Sequence, residues 1–458
     1  MEGPEEVEVN LDDDEPPTQT PLLGSAKLEF RAAEDEVQRG NPEPNPPRQA
    51  TTLFSPDVST LKPAKEKEPQ KASEGEEFVE ISVREPQKVG EGMAAYVIYR
   101  VVTRTNAPYY RKTQFSVNRR FSDFLGLHEK LVEKHLHMGR IVPPAPEKSV
   151  LGMTKIKMSK DEQVTSEDFV ERRRAALERF LQRTAAHPSL KVDPDFREFL
   201  EQEAELPRAT NTSSLSGAGM FRLISRMGDS VSKITTKMDE ADPWFEEKQQ
   251  QIDNLDIQLK RLHASVENMV QQRRELSQST GAFAKSAAML GNCEEHTGLS
   301  RALSKLAEVG ERVEQLQGRQ ANHDFYCLAE LVKDYLALVG AIKDVFHQRV
   351  KVYQTWQHAQ QMLARKREAK AKLELAAKND KVPQARQEVL EWEAKVERGQ
   401  EEFDNVSRVI RTEMDRFELN RIADFRNSVV RYFEFLLDTQ QQLIKYWETF
   451  LPEAKAIA

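Results

Sequence analysis

Arg119-Arg120-Phe121-Ser122-Asp123-Phe124 marks the place where one hydrophobic period gives way to another. Upstream, Thr113, Phe115 and Val117 alternate with Gln114 and Ser116, the period of a strand. Downstream, Phe124, Leu127, Leu131 and Val132 share one face of a helix, with Ser122 as its expected N-cap. Such a corner suits a phosphate. Arginine offers planar, bidentate donors to phosphate oxygens, an aromatic ring can stack on a sugar-like ring, and a helix start adds free N–H groups and a dipole. A pair of arginines at a strand end also reads as a surface ion pair, and these residues alone leave both readings open.

Two further β-rich runs precede the corner. Val79, Ile81 and Val83 alternate with Glu80, Ser82 and Arg84, and Ala95 to Val102 forms a second. Three antiparallel strands result, joined by a turn at Gly90-Glu91-Gly92 and a loop around Asn106-Ala107-Pro108. So small a sheet needs a covering layer. The helix after the corner begins it, a second carries Phe169, Val170, Ala176, Leu177, Phe180 and Leu181, and a third carries Phe196, Phe199 and Leu200. The expected unit is an α+β domain over residues 77–207. Between its first two helices lies Pro143-Pro144-Ala145-Pro146. Pro143 and Pro146 form a PxxP, readable as an SH3 ligand.

Residues 1–76 are expected to be a disordered acidic tail. Residues 1–75 hold 17 Asp or Glu against 8 Lys or Arg and 11 of the 22 prolines, too little apolar surface to offset the entropy of ordering. Leu53-Phe54, followed by Val58 and Leu61, reads either as a protein-docking motif or as a chance apolar cluster. Since the tail carries −9 of the net −8, the rest is nearly neutral and has room for basic patches. Cys293 and Cys327 make no disulfide framework, which fits a reducing cytoplasmic setting. With no long apolar span and no signal peptide at the start, any membrane contact is expected to be peripheral.

Residues 208–219 read as a linker and 220–238 as an amphipathic helix. Phe221, Leu223, Ile224, Met227, Val231, Ile234 and Met238 supply its apolar side, and Arg222, Arg226, Lys233 and Lys237 its charge. From 239 to 458 the period is helical throughout, and 31% charged against 38% hydrophobic residues is a balance suited to long, narrow helices. The first is expected to bury Ile252, Leu255, Leu259, Leu262, Val266, Met269, Leu276, Phe283 and Leu290, and to break at Gly291-Asn292 and Gly298. The second runs from Leu299 past Trp356 into Arg365 to Lys378, on the order of 120 Å at about 1.5 Å per residue. The third follows a turn at 378–383. Three such helices make an antiparallel coiled coil, and the aromatics Phe425, Tyr432, Phe433, Phe435, Tyr446, Trp447 and Phe450 exceed what one seam can bury, which points to a dimer.

Strand, Arg-Arg-Phe-Ser-Asp-Phe, helix, proline loop with a lysine, then an Arg-rich helix resembles the Phox-homology (PX) domain. The resemblance implies that Arg120 holds the 3-phosphate of phosphatidylinositol 3-phosphate, Phe121 stacks beneath the inositol, Lys148 meets the 1-phosphate and Arg173, among Arg172-Arg173-Arg174, meets the inositol hydroxyls. It puts Arg119 beside the pocket, and it favours, over the SH3-ligand reading, a membrane-facing proline loop that inserts Val150, Leu151 and Met153. Phosphatidylinositol 3,5-bisphosphate is a second candidate ligand. The helices resemble a BAR domain, so that the whole is similar to the PX–BAR sorting nexins. Trp244-Phe245, Asp324-Phe325 and the ending from Lys445 to Ile457 resemble the subgroup of sorting nexins one and two. That resemblance implies a curvature-sensing, tubulating protein on early endosomes, dimeric with itself or other BAR-type sorting nexins, and acting with retromer in cargo retrieval and protein transport. The subgroup's acidic Asp-Leu-Phe motif is incomplete, because Thr52 stands in place of the acid.

Arg365, Lys366, Arg367, Lys370, Lys372, Lys378 and Lys381 crowd one hairpin end. They read as an ordinary solvated charge run or, doubled by dimerisation, as membrane-binding tips at about 1 kcal/mol per charge. Two other classes compete: a phosphoinositide-binding coiled-coil adaptor that dimerises without remodelling membrane, and a cytoskeletal scaffold. Nucleic-acid binding lacks a recognition motif. Cys293 and His296 form a lone Cys-x-x-His without a second half, and no nucleophile has a base, so neither a metal site nor an enzyme is expected.

Overall fold

The computed structural model describes residues 77–90, 95–146, 163–206, 238, 240, 242–376 and 380–457. Strands β1 (Val79–Val89), β2 (Tyr96–Thr105) and β3 (Gln114–Arg120) form one antiparallel sheet in the order β1-β2-β3. Val83 pairs with Val101, which pairs with Val117, and all three are buried, so the alternation that marked the strands also sets their register. A shift between Arg84 and Gln87 bulges β1, with Glu85 at φ 49°.

Helix α1 (Phe121–His135) starts directly from β3. Helices α2 (Gln163–Ala186) and α3 (Pro194–Glu201) complete the layer on the sheet. Leu131, Leu177, Phe180, Leu181, Phe196, Phe199 and Leu200 fill one core with the inward strand residues. Asp193 caps α3, its carboxylate accepting from Asp195 N at 2.8 Å.

A 3-10 turn (Leu136–Met138) follows α1, and beyond α3 come long helices: α4 (Pro243–Cys293), α5 (Thr297–Asp324), α6 (Glu330–Leu375) and α7 (Val382–Lys455). A π-helical turn at Phe325–Ala329 joins α5 to α6, so that they run on as the single second helix of the sequence reading. The break near Gly291 is also where it was expected, with α4 ending at Cys293 and His296 capping α5.

One expectation fails along α4. Ile252, Leu259 and Val266 are buried, but Leu262, Leu276, Phe283 and Leu290 are exposed, Phe283 by 55%. The seam instead passes through Val270, Ser277, Gly281, Ala284, Ala287 and Gly291. Small residues let α4 and α5 approach closely; a Cβ on Gly310 would lie 2.8 Å from the Ala284 Cβ. The large side chains are thereby turned outward. On α7, Phe433 and Trp447 are likewise exposed, while Phe425 packs on Tyr335 and Phe435 stacks on His323 with centroids 4.0 Å apart.

Candidate functional site: an arginine-lined anion pocket

The period-two pleat of β3 sends Phe115, Val117 and Arg119 to one face and Asn118 and Arg120 to the other. Arg119 is consequently inside, 1% exposed. Its Nε donates to Phe199 O at 2.9 Å, Nη1 to Asn118 O at 3.0 Å and Nη2 to Gln202 O at 2.5 Å. It is neither a pocket ligand nor half of a surface ion pair. It is a buried cation at the carbonyl end of α3, where the helix dipole favours positive charge.

Arg120 occupies the N-cap of α1, and its N–H donates to the Asp123 carboxylate at 2.7 Å. That corrects the expected cap: Asp123, three residues on, reaches back to the chain, so the helix opens at Phe121 and Ser122 lies inside its first turn. The Arg120 guanidinium lies 4.6 Å from the Tyr96 ring centroid, and its Nη2 is 2.6 Å from a Glu205 carboxylate oxygen. Its side chain keeps 18% of its surface exposed. Burial alone would lower its pKa, but the Glu205, Tyr96 and Asp123 oxygens outweigh this and raise it.

Three adjacent arginines on α2 divide three tasks. Arg174 turns to the sheet and its own helix, donating to Val83 O at 2.7 Å and to Glu171 and Glu178. Arg172 lies 4.0 Å from the centroid of Phe325, in the π-turn. Arg173 is sandwiched by aromatics, 4.2 Å from the Phe121 centroid and 4.5 Å from that of Phe169. It is buried, and its Nη2 finds no hydrogen-bond partner among the described residues. Burial lowers its pKa, partly offset by Tyr99 beside it. A buried cation with an unsatisfied donor is costly unless an acceptor arrives. Arg173 thus covers the Phe121 ring, and Arg120 precedes that residue at the start of α1, so two guanidiniums and an aromatic ring belong to one strand–helix corner. Lys148 lies outside the described residues, as do Val150, Leu151, Met153, Leu53 and Phe54, and the segment 220–237 with Phe221, Arg222, Ile224, Arg226, Met227, Val231, Lys233, Ile234 and Lys237.

The pocket domain is bolted to the long helices. Arg183 Nε donates to Asp334 at 2.8 Å, and Nη2 to Asp424 at 3.0 Å. His187 Nε2 lies 2.9 Å from Glu413, whose carboxylate also accepts from Ile141 N at 3.2 Å. Gly139, at φ 83°, abuts α7: a Cβ there would sit 3.0 Å from Val406 O. A cleft of about 390 Å³ remains between them, lined by Pro143, Arg179, Arg183, Tyr335, Arg416 and Asp424 among others. Pro143 is buried there, which removes it from an SH3-type display. None of these tethers was anticipated; only the surplus of arginine on α2 hinted at them.

At the far hairpin end Arg365, Arg367, Lys372 and Lys381 are exposed, and Lys378 is outside the described residues. Several charges are already paired: Lys366 with Glu388 and Arg367 with Glu393, both at 2.7 Å, Lys372 with Glu368 at 2.7 Å and Lys370 with Glu374 at 3.6 Å. Across 365–398, ten Lys or Arg still exceed seven Asp or Glu. Among the described residues, no helix is long and apolar enough to cross a membrane.

Comparison with known proteins agrees with this two-part structure. Residues 107–203 match the PX domain family, and residues 220–453 match the family described as Vps5 C terminal like. Sorting nexin-2 of Bos taurus is 52% identical over 475 residues, covering all of this chain and 89% of that protein. Sorting nexin-1 of Homo sapiens is 51% identical over 413 residues, covering 90% of this chain and 78% of that one. A cryo-EM structure of the SNX-BAR Mvp1 tetramer shares the fold at TM-score 0.53 and 15% identity, covering 81% of this chain and 99% of the other. The chain belongs to the PX–BAR sorting nexins, membrane-associated proteins that are not enzymes. Within them it falls in the sorting nexin-1 and sorting nexin-2 subgroup.

Proposed function

We propose that the corner binds the headgroup of phosphatidylinositol 3-phosphate: Arg120 on the 3-phosphate, Phe121 beneath the inositol, Arg173 on the ring hydroxyls and Lys148 on the 1-phosphate. The observation that carries this is the buried Nη2 of Arg173, which has no hydrogen-bond partner among the described residues, on a guanidinium lying over Phe121, next in the chain to Arg120. Residues 77–207 form the lipid-reading domain, 220–238 an amphipathic helix and 239–458 a BAR-type dimerising domain. The outward Leu276, Phe283, Phe433 and Trp447 support dimerisation, because large apolar faces seek cover. Each headgroup contact is worth roughly 1.5–3 kcal/mol before ordering costs. A dimer multiplies such weak contacts by making the second one intramolecular. The protein then senses and tubulates curved membrane on early endosomes and, with retromer, retrieves cargo. Phosphatidylinositol 3,5-bisphosphate is the second candidate lipid.

The ion pairs at the tip favour one competing reading, an adaptor that dimerises on phosphoinositide membrane without bending it. Co-sedimentation of the full chain with vesicles containing phosphatidylinositol 3-phosphate tests the pocket: Arg120→Ala is expected to lose most binding, and unchanged binding overturns the assignment. Electron microscopy of the same pellets separates the two readings, tubules supporting remodelling and smooth vesicles at saturation the adaptor.

A further inference from the structure

From the last residue of α3 onward the chain carries acid at every second position, Glu201, Glu203 and Glu205. This stretch is held at both ends. Arg119 grips Phe199 O and Gln202 O, and Leu206 packs against the domain core. Between the two anchors, Glu203 faces Lys112 at 3.7 Å and Glu205 reaches Arg120 at 2.6 Å. The Arg120 guanidinium also lies over the Tyr96 ring, 4.6 Å from its centroid. The arginine assigned to the headgroup phosphate is therefore already engaged by a carboxylate whose own side chain is 80% exposed.

We propose that residues 202–206 form a tethered acidic strap whose Glu205 competes with the headgroup phosphate for Arg120, weakening binding and selecting against more highly phosphorylated headgroups. This rests on the pocket reading above. Two physical reasons support it. Bidentate capture of a phosphate needs two N–H donors on one edge of the guanidinium, and Glu205 already holds Nη2. A fixed negative charge at the mouth also repels a ligand in proportion to the ligand's charge, so a bisphosphate suffers more than a monophosphate. The adjacent arginines then work as a pair: Arg119 positions the strap, and Arg120 is what the strap and the lipid share. The pair is solvent-exposed on one side, so the effect is modest, about two- to fivefold.

The test uses the full chain and phosphatidylcholine vesicles containing phosphatidylinositol 3-phosphate, phosphatidylinositol 3,5-bisphosphate or phosphatidylserine at matched surface charge. Glu205→Gln is expected to tighten binding two- to fivefold on the monophosphate vesicles and by more on the bisphosphate vesicles. In an Arg120→Ala background the same substitution is expected to change nothing. Equal tightening on phosphatidylserine, or tightening that persists without Arg120, would reduce Glu205 to general surface charge and overturn the strap. No tightening by Glu205→Gln, while Arg120→Ala still abolishes binding, overturns the strap and leaves the pocket intact. Failure of Arg120→Ala to weaken binding overturns the pocket itself.

Discussion

Arg119 and Arg120 are neighbours in sequence, yet replacing them is expected to produce opposite phenotypes. Arg119→Met keeps the aliphatic packing of the side chain but removes all three donations to Phe199, Asn118 and Gln202 carbonyls. An acceptor left unpaired in the interior costs about 1–3 kcal/mol. Counting only the two at the end of α3, the loss is about 2–6 kcal/mol, a large part of a typical domain's stability of about 5–15 kcal/mol. Arg120→Ala removes an ion pair with a largely exposed carboxylate and should cost under about 1 kcal/mol. Hydrogen exchange on the full chain reads the difference. Peptides spanning 194–206 should exchange roughly thirtyfold or more faster in Arg119→Met, since every 1.4 kcal/mol is tenfold. They should be nearly unchanged in Arg120→Ala, which instead loses lipid binding. Arg119→Met with native protection but abolished binding would refute the internal cap and make Arg119 a ligand residue.

Arg183→Ala leaves Asp334 uncompensated at the junction, a loss of about 3–5 kcal/mol; exchange should rise around 137–143 and 183–190 while α4 and α5 stay protected. Burial pushes Asp344 from its ordinary 3.8 up to about 6. A raised carboxylate binds its proton more tightly folded than unfolded, so stability falls as pH rises from about 4 to 6. Asp344→Asn should therefore stabilise by on the order of 2–3 kcal/mol at pH 7, with the gain vanishing near pH 4 in denaturant titrations. Arg365→Glu with Lys366→Glu reverses two tip charges and frees Glu388; at about 1 kcal/mol per charge near an anionic leaflet, vesicle binding should drop at least tenfold and tubulation disappear. Persistent tubules would move membrane bending elsewhere.

Local pattern carried much of this protein. The alternation of Val79, Ile81 and Val83 and of Phe115 and Val117 was enough for the three strands, because each strand buries one face only. The breaks near Gly291 and between Leu375 and Val382 were legible because polar, Gly- or Pro-bearing stretches interrupt a continuous helical period. What pattern could not say was which side of a helix faces which neighbour. On α4 both stripes are apolar, and the seam went to Gly281, Ala284 and Gly291 because close helix approach rewards small residues. Leu276 and Phe283 were left outward.

The opening motif divides the same way. Its residues alone determined that a strand meets a helix there and that guanidinium and aromatic groups are concentrated at the junction. Parity along β3 even encoded that Arg119 shares the face of Val117. Only the tertiary structure decided what each arginine does. The carbonyl end of α3, some 80 residues later in the chain, claims Arg119; Phe121 and Phe169 enclose Arg173; and Glu205 reaches back to Arg120. Those partners are distant in sequence and meet only through the packed core, so no local period could announce them.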